Sequence, residues 1–268
     1  MISSIPETSN PQLWNQLWSR SSREELDRNF WEWVDRESSS VRSAQIRNYI
    51  SKHIGDLRGL KAIEVGSGPG IYSFIFARLG AEVTLLDYSN HALNISRKLF
   101  EENSLTAKFL LEDALKLNPD LHGQYDVAMS FGTVEHFKYP ERFQMIEAHL
   151  KLVRSGGVIV VSTPNLFFFP HELLKTYLQW RNKWQLGYEG AFHPREFFKI
   201  ARMLKLKNPK VIGSAFLSDF QRYLRIYRST NLVRKLIGPS TGQFICERPS
   251  WFDDLLGADL VLLGVKGE

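Results

Sequence analysis

The sequence predicts an α/β fold, a mostly parallel sheet covered by helices on both faces. From Leu60 onward, apolar runs alternate with helix-like stretches. The apolar runs are near-continuous, the pattern of strands buried on both faces rather than half-exposed ones. The first run ends in a glycine-rich turn, "EVGSGPG" at Glu64–Gly70, that opens a helix.

Each element follows from its local pattern. In the first fifty residues, "NPQLWNQLWSR" sets Trp14, Leu17 and Trp18 at helical spacing, and "REELDRNFWEWVDRESSS" repeats the pattern up to a serine break. Residues 1–50 therefore read as an N-terminal helical extension or lid on a main domain at 51–268. The strands are "LKAIEVG", "EVTLLDY", "AKFLLED", "YDVAMSF" and "GGVIVVSTP"; the helices between them are "IYSFIFARLG", "NHALNISRKLFEEN" and "PERFQMIEAHLKLV". After Pro164, an aromatic and basic insertion at about 166–193 has no period long enough for one helix or strand. "PREFFKIARMLKL" then reads as a helix, "NPKVIGSAF" as a strand, "DFQRYLRIYRSTNLVRKLIG" as a basic amphipathic helix and "ADLVLLGVK" as a last strand.

Composition bounds the class. Hydrophobic residues make up 43% and charged residues 24%, as in soluble globular proteins. The one cysteine, Cys246, excludes an internal disulfide and a thiolate metal cluster. The N-terminal stretch lacks the basic start and apolar core of a secretory signal, and no apolar run approaches the roughly 20 residues of a membrane span. A cytoplasmic location is expected. The net charge of +5 is uneven: 14 Lys and Arg against 4 acids between His171 and Gly238 give that stretch +10.

The glycine turn selects the ligand. A dinucleotide fingerprint needs G-x-G-x-x-G, but counting from Gly66 the third position is Ile71, and from Gly68 it is Ser73. Glu64 stands at the strand end beside the turn. A carboxylate there repels a pyrophosphate and attracts an ammonium or sulfonium group. Asp87 ends the next strand, where a carboxylate accepts both ribose hydroxyls. A ligand cationic near the glycines and bearing a ribose near Asp87 fits S-adenosylmethionine.

With these residues the sequence resembles the class I S-adenosylmethionine-dependent methyltransferases. Glu64–Gly70 is similar to that family's first motif and "LLDYS" to its ribose-binding acid. "LEDA", with Asp113 and Ala114, resembles its adenine-binding element, "YDVAMSFGTVEHF" its fourth-strand motif and "LKLVRSGGVIVVSTPN" its turn into the fifth strand. The resemblance covers roughly Leu60–Asn165. It implies a doubly wound, seven-stranded, Rossmann-like sheet with the last strand inserted antiparallel. It also implies cofactor contacts from Glu64, Gly66, Ser67, Gly68, Gly70, Asp87, Tyr88, Asp113, Ala114 and Phe131.

Methyl transfer is an in-line displacement in which orientation outweighs acid–base help, at about 7–11 kcal/mol against roughly 3–5. His136, after the fourth strand, is the first candidate base; a structural or orienting role is the alternative. His193 is the second candidate, with capping of the following helix equally able to explain it. Glu135 reads as a local partner or orienting group and Asp126 as structural. No cluster has metal-ligand spacing, and no tetrapeptide of the amino-methylating nucleic-acid type is present. The expected acceptor is a small, partly apolar molecule. Eight aromatics from Phe167 to Phe192 either line its pocket or form a satellite core. Trp14 and Trp18 either close over the cofactor or simply dock on the sheet. The basic stretch points to a peripheral anionic membrane or anionic ligand, or is a solvated face; no RNA-binding module is visible. An RNA or protein methyltransferase, and a non-catalytic cofactor-binding partner, stay as alternatives.

Overall fold

A computed structural model describes residues 9–20, 23–229 and 250–268, with side chains described outside 20–29 and 225–229. Cys246 and the end of the basic amphipathic stretch, after Ser229, lie outside the described residues.

Three helices lead the chain: α1 (Pro11–Arg20), α2 (Arg23–Ser39) and α3 (Val41–Ile54). The serine break is a helix start. Ser40 caps α3, its hydroxyl accepting from the Ser43 amide, which satisfies an otherwise orphaned donor. Then β1 (Lys61–Val65), α4 (Ile71–Arg78), β2 (Glu82–Asp87), α5 (Asn90–Glu102), β3 (Ala107–Leu111) and β4 (Tyr125–Phe131) alternate as expected. They are followed by α6 (Glu141–Leu152), β5 (Val153–Pro164), α7 (Phe169–Trp180), α8 (Pro194–Met203), β6 (Lys207–Gly213), α9 (Phe216–Ser229) and β7 (Asp259–Val265). The sheet runs β3-β2-β1-β4-β5-β7-β6, with β7 antiparallel to both neighbours.

Strand side chains alternate between two cores. Ala62, Val83, Leu85, Val127, Met129 and Val160 point to one face, where α3, α4 and α5 add Ile46, Ile50, Phe74 and Phe100. Ile63, Val65, Leu86, Ala128, Ile159 and Val161 point to the other, where α6 and α8 add Ile146, Phe197 and Ile200. Both faces being apolar is why the strands read as unbroken runs.

Two expectations change. The boundary at residue 50 falls inside α3, whose Ile46 and Ile50 are core residues. The insertion is not wholly irregular, because Phe169–Trp180 is the helix α7 with Pro170 in its first turn, where a missing amide costs nothing. β1 and β4 are neighbours from opposite winding directions, so a crevice opens at their C-terminal ends.

Candidate functional site

The glycine turn bridges β1 and α4. Gly66, Gly68 and Gly70 have φ of 63°, 52° and 75°, left-handed values that side chains disfavour. A Cβ would meet the Thr133 methyl at 2.3 Å from Gly66, and Leu85 Cδ2 at 2.3 Å from Gly70. At Gly68 it would meet only the Trp18 indole of α1, at 3.0 Å. Gly68 therefore keeps backbone bare on the open side of the turn.

Two buried acids flank that surface. Glu64 Oε2 accepts from the Ser73 amide at 2.8 Å. Asp87 accepts from the amides of Gly68, at 2.9 Å, and Ser89, at 2.8 Å. Burial pushes Glu64 up to about 7, Asp87 adding to the rise, and burial raises Asp87 itself. Two desolvated carboxyls side by side are relieved by a cation between them. The Ser67 hydroxyl beside them is buried without a partner among the described residues. The donor set thus fits a cationic ligand with hydroxyls, which S-adenosylmethionine is.

The cleft over this turn encloses about 680 Å³. Glu64, Gly66, Ser67 and Gly68 line it at the end of β1, with Asp87, Tyr88, Asp113 and Ala114 on the β2–β3 side and Phe131 on the β4 side. Asp113 also caps a short turn, accepting from the Leu115 amide at 3.0 Å. Gly70 is absent from the wall; it packs behind the turn against Leu85, so it shapes the site without facing it. Trp14 and Trp18 lie over the cleft. Ser9 fastens Trp14 there: its hydroxyl accepts from Trp14 Nε1 at 2.8 Å and pairs with the Tyr88 hydroxyl.

On the far side stands His136, which is 4% exposed. Its Nδ1 lies 2.8 Å from the Tyr188 carbonyl. A carbonyl only accepts, so Nδ1 carries the proton and Nε2 is the basic nitrogen. Burial lowers its pKa and keeps the ring neutral. Glu135, also in the wall, is 2% exposed and has Oε2 without a partner among the described residues. Burial, then the nearby Glu189, raises its carboxyl well above the usual range.

At two points the structure takes the structural alternative. His193 lies outside the cleft wall; it caps α8, its Nδ1 accepting from the Arg195 amide at 2.9 Å, with its ring edge against Phe167. The aromatic insertion does not line the pocket. Phe168 and Phe192 are fully buried and Trp180 is 75% exposed, while only Leu186 and Glu189 of this segment reach the cleft. The aromatic wall comes from Trp14, Trp18, Trp33, Tyr72, Phe137 and Tyr223 instead. Asp126 is structural as expected, bonding the Lys61 amide at 2.8 Å and Arg154 at 2.6 Å.

Sequence patterns did not reveal a buried cluster at the cleft. Arg42 contacts Glu37 at 2.8 Å and Asp259 at 2.5 Å, and the Tyr72 hydroxyl donates to Glu37 at 2.6 Å. Its members come from α2, α3, α4 and β7, so no local spacing announces them. Along the whole wall, carboxylates outnumber arginines nine to three. Among the described residues, Arg222 is the one cation of the basic stretch at 171–238 to line it.

Comparison with known proteins agrees with this geometry. A methyltransferase-domain family model matches residues 62–157. The ubiquinone biosynthesis O-methyltransferase of Shewanella pealeana is 33% identical over 118 residues, 44% of this chain and 49% of that protein. The chain thus spans about half the length of the curated relatives it matches. The fold agrees with a SAM-dependent methyltransferase of Thermotoga maritima, with TM-score 0.57, 18% identity and coverage of 95% and 99%. It agrees too with the magnesium protoporphyrin IX methyltransferase of Synechocystis PCC 6803 with bound SAH, with TM-score 0.54, 14% identity and coverage of 96% and 93%. In strand order and glycine turn the chain has the fold of the S-adenosylmethionine-dependent methyltransferases, and its residues 62–157 match the methyltransferase-domain family model.

Proposed function

We propose that the chain transfers a methyl group from S-adenosylmethionine to a small, partly apolar molecule bearing a hydroxyl or amine. One observation carries this reading. The Glu64–Asp87 floor shares a single cleft with His136 Nε2, a bare acceptor, and with a wall rich in carboxylates. A wall rich in acceptors suits a substrate that brings donors. The O-methyltransferase name of the matched relatives supports oxygen as the receiving atom.

When bound, S-adenosylmethionine supplies a methyl group on a positively charged sulfur. Glu64 sets the opposing charge beside the glycine turn. Asp87 accepts from the ribose hydroxyls and Asp113 from the adenine amine. Trp14 and Trp18 exclude water from above. His136 accepts a hydrogen bond from the incoming group and fixes its direction, the largest lever in such a displacement. The excess of carboxylates disfavours a phosphate backbone in the cleft, which supports a small acceptor over nucleic acid. An anionic partner of the basic stretch, a membrane surface included, would meet the outer face.

The test has two stages. Calorimetry with S-adenosylmethionine establishes binding. Methyl-labelled cofactor is then offered with catechol, simple amines, a metabolite extract, RNA and protein. Label in the small-molecule fraction is expected. Label in RNA or protein overturns the acceptor class, and binding without transfer to any of them favours a non-catalytic partner.

A further inference from the structure

Behind the acceptor wall, three side chains from three segments form a line of hydrogen bonds. Tyr223 of α9 lines the cleft, and its hydroxyl lies 2.8 Å from Nδ1 of His171 on α7. His171 Nε2 lies 2.6 Å from Oε1 of Glu189, in the loop before α8. Burial alone would raise the Glu189 carboxyl, but the hydrogen bond from His171 leads the interactions that bring it below its ordinary value. An ionised carboxylate only accepts, so Nε2 carries a proton. In the neutral ring Nδ1 is then bare and accepts from the Tyr223 hydroxyl. Hydroxyl, imidazole and orienting carboxylate in this sequence are the arrangement that activates an oxygen in triad enzymes.

The same cluster, with Glu172, has the composition of a metal site. Lys175 fills that role: its Nζ lies 2.7 Å from Glu172 and 3.8 Å from Glu189, so the acids already hold a cation.

We propose that Tyr223, His171 and Glu189 form a proton relay that receives the acceptor's hydroxyl proton during methyl transfer. The proposal rests on the hydroxyl-acceptor reading above. As the acceptor oxygen bonds to the methyl carbon, the carbon–sulfur bond breaks and its electron pair stays on sulfur. The acceptor's proton passes to Tyr223 Oη while the tyrosine's own proton passes to His171 Nδ1. His171 becomes an imidazolium held against Glu189. Its side chain is 16% exposed, which lets it return one proton to solvent.

His136 is the poorer sink. It is 4% exposed, its Nδ1 proton is committed to a carbonyl, and its nearest acid, the Glu135 carboxyl, is 4.0 Å away and favours the neutral form. His136 positions the acceptor; the relay takes the proton. Other groups facing the relay are Arg222, Asp219 and Asp259 around Tyr223, and Glu135 and His136 around Glu189.

The test uses the full chain with saturating cofactor and catechol as acceptor, following SAH formation across pH. Saturation keeps the Glu64 titration out of the turnover rate. Tyr223→Phe keeps the ring against Phe168, 5.0 Å away, and is expected to lower kcat about 10²–10⁴-fold. The catechol KM and the cofactor Kd should move less than threefold. In wild type kcat should carry an acid limb, because the relay needs an imidazole free to accept a proton, and His171→Gln should abolish that limb. Should His171→Gln fail to fold, Tyr223→Phe decides alone. Wild-type kcat and an unchanged acid limb in Tyr223→Phe would overturn the relay, leaving the three residues as a brace between α7 and α9 and the methyltransferase reading intact. If wild type forms no methylated catechol while binding cofactor, the hydroxyl-acceptor reading falls, and the relay with it.

Discussion

At the residue scale, Asp87 and Glu64 carry opposite demands. Asp87 accepts two backbone amides that set the turn. Asp87→Ala should weaken S-adenosylmethionine binding by about 1.5–3 kcal/mol, the scale for hydrogen bonds to a charged group. Calorimetry with an unchanged Kd would move the ribose contact elsewhere. Glu64 exposes a cost of function. Folding raises it from 4.5 to about 7, so its contribution to stability is fully present below pH 4.5 and is lost as pH rises through 7. A tenfold change in proton affinity is worth about 1.4 kcal/mol. Glu64→Gln keeps an acceptor for the Ser73 amide and removes the buried charge. It should therefore stabilise the cofactor-free protein by about 3 kcal/mol at pH 8 and by almost nothing at pH 4.5, while binding cofactor less tightly. Urea melts at the two pH values read the difference directly. Equal gains at both would mean that charge burial is not the cause.

At the scale of elements, α1 packs against the glycine turn. Trp18 lies against Gly68, and Ser9 ties Trp14 to Tyr88. The helix meets the site through its tryptophan faces and through Asn15, whose Oδ1 accepts from the Ser89 hydroxyl at 2.7 Å, while Ser9 just before it supplies the hydroxyl. We expect α1 to act as a lid. Trp18→Ala should speed cofactor dissociation about tenfold in stopped-flow fluorescence with the melting temperature nearly unchanged. A large drop in melting temperature with normal dissociation would mark α1 as ordinary packing. Downstream, α7 and α9 brace the acceptor wall from outside, with Phe168 packed edge-on against Phe216 and Tyr223. That is the use of Phe168, while Trp180 and Trp184 stay off the cleft wall.

Across the whole molecule, Arg42 joins α3 to α2 and to the start of β7. Arg42 is half-buried and its partner Glu37 is buried, which makes the cluster vulnerable. Arg42→Ala leaves the buried Glu37 with Arg36 and Tyr72 alone and should cost about 3 kcal/mol, the low end for breaking a buried pair, measured by chemical denaturation at pH 7. Glu37 supplies the pH dependence. Burial alone would raise it, but Arg42, Arg36 and Tyr72 hold it down at about 2. Its contribution of about 3 kcal/mol is present above pH 4.5 and is lost as pH falls through 2. A Glu37→Gln protein should therefore lose its stability deficit in acid. A deficit that stays constant from pH 7 to pH 3 would contradict the pairing.

The sequence by itself determined the sheet, its winding and the cofactor floor, because each is local. Strand runs are apolar along their own length, and Glu64, the glycines and Asp87 sit at fixed offsets from strand ends. The antiparallel place of β7 came through the resemblance, since an apolar run does not state which edge it joins. Tertiary structure alone decided the acceptor half. His193 and His136 look alike as isolated histidines, yet one caps a helix and the other faces the cleft. Arg42 with Asp259, and Tyr223 with His171 and Glu189, meet across long sequence separations. Residues far apart in the chain leave no periodic trace of their meeting, so only packing of the helices on the sheet brings that chemistry together.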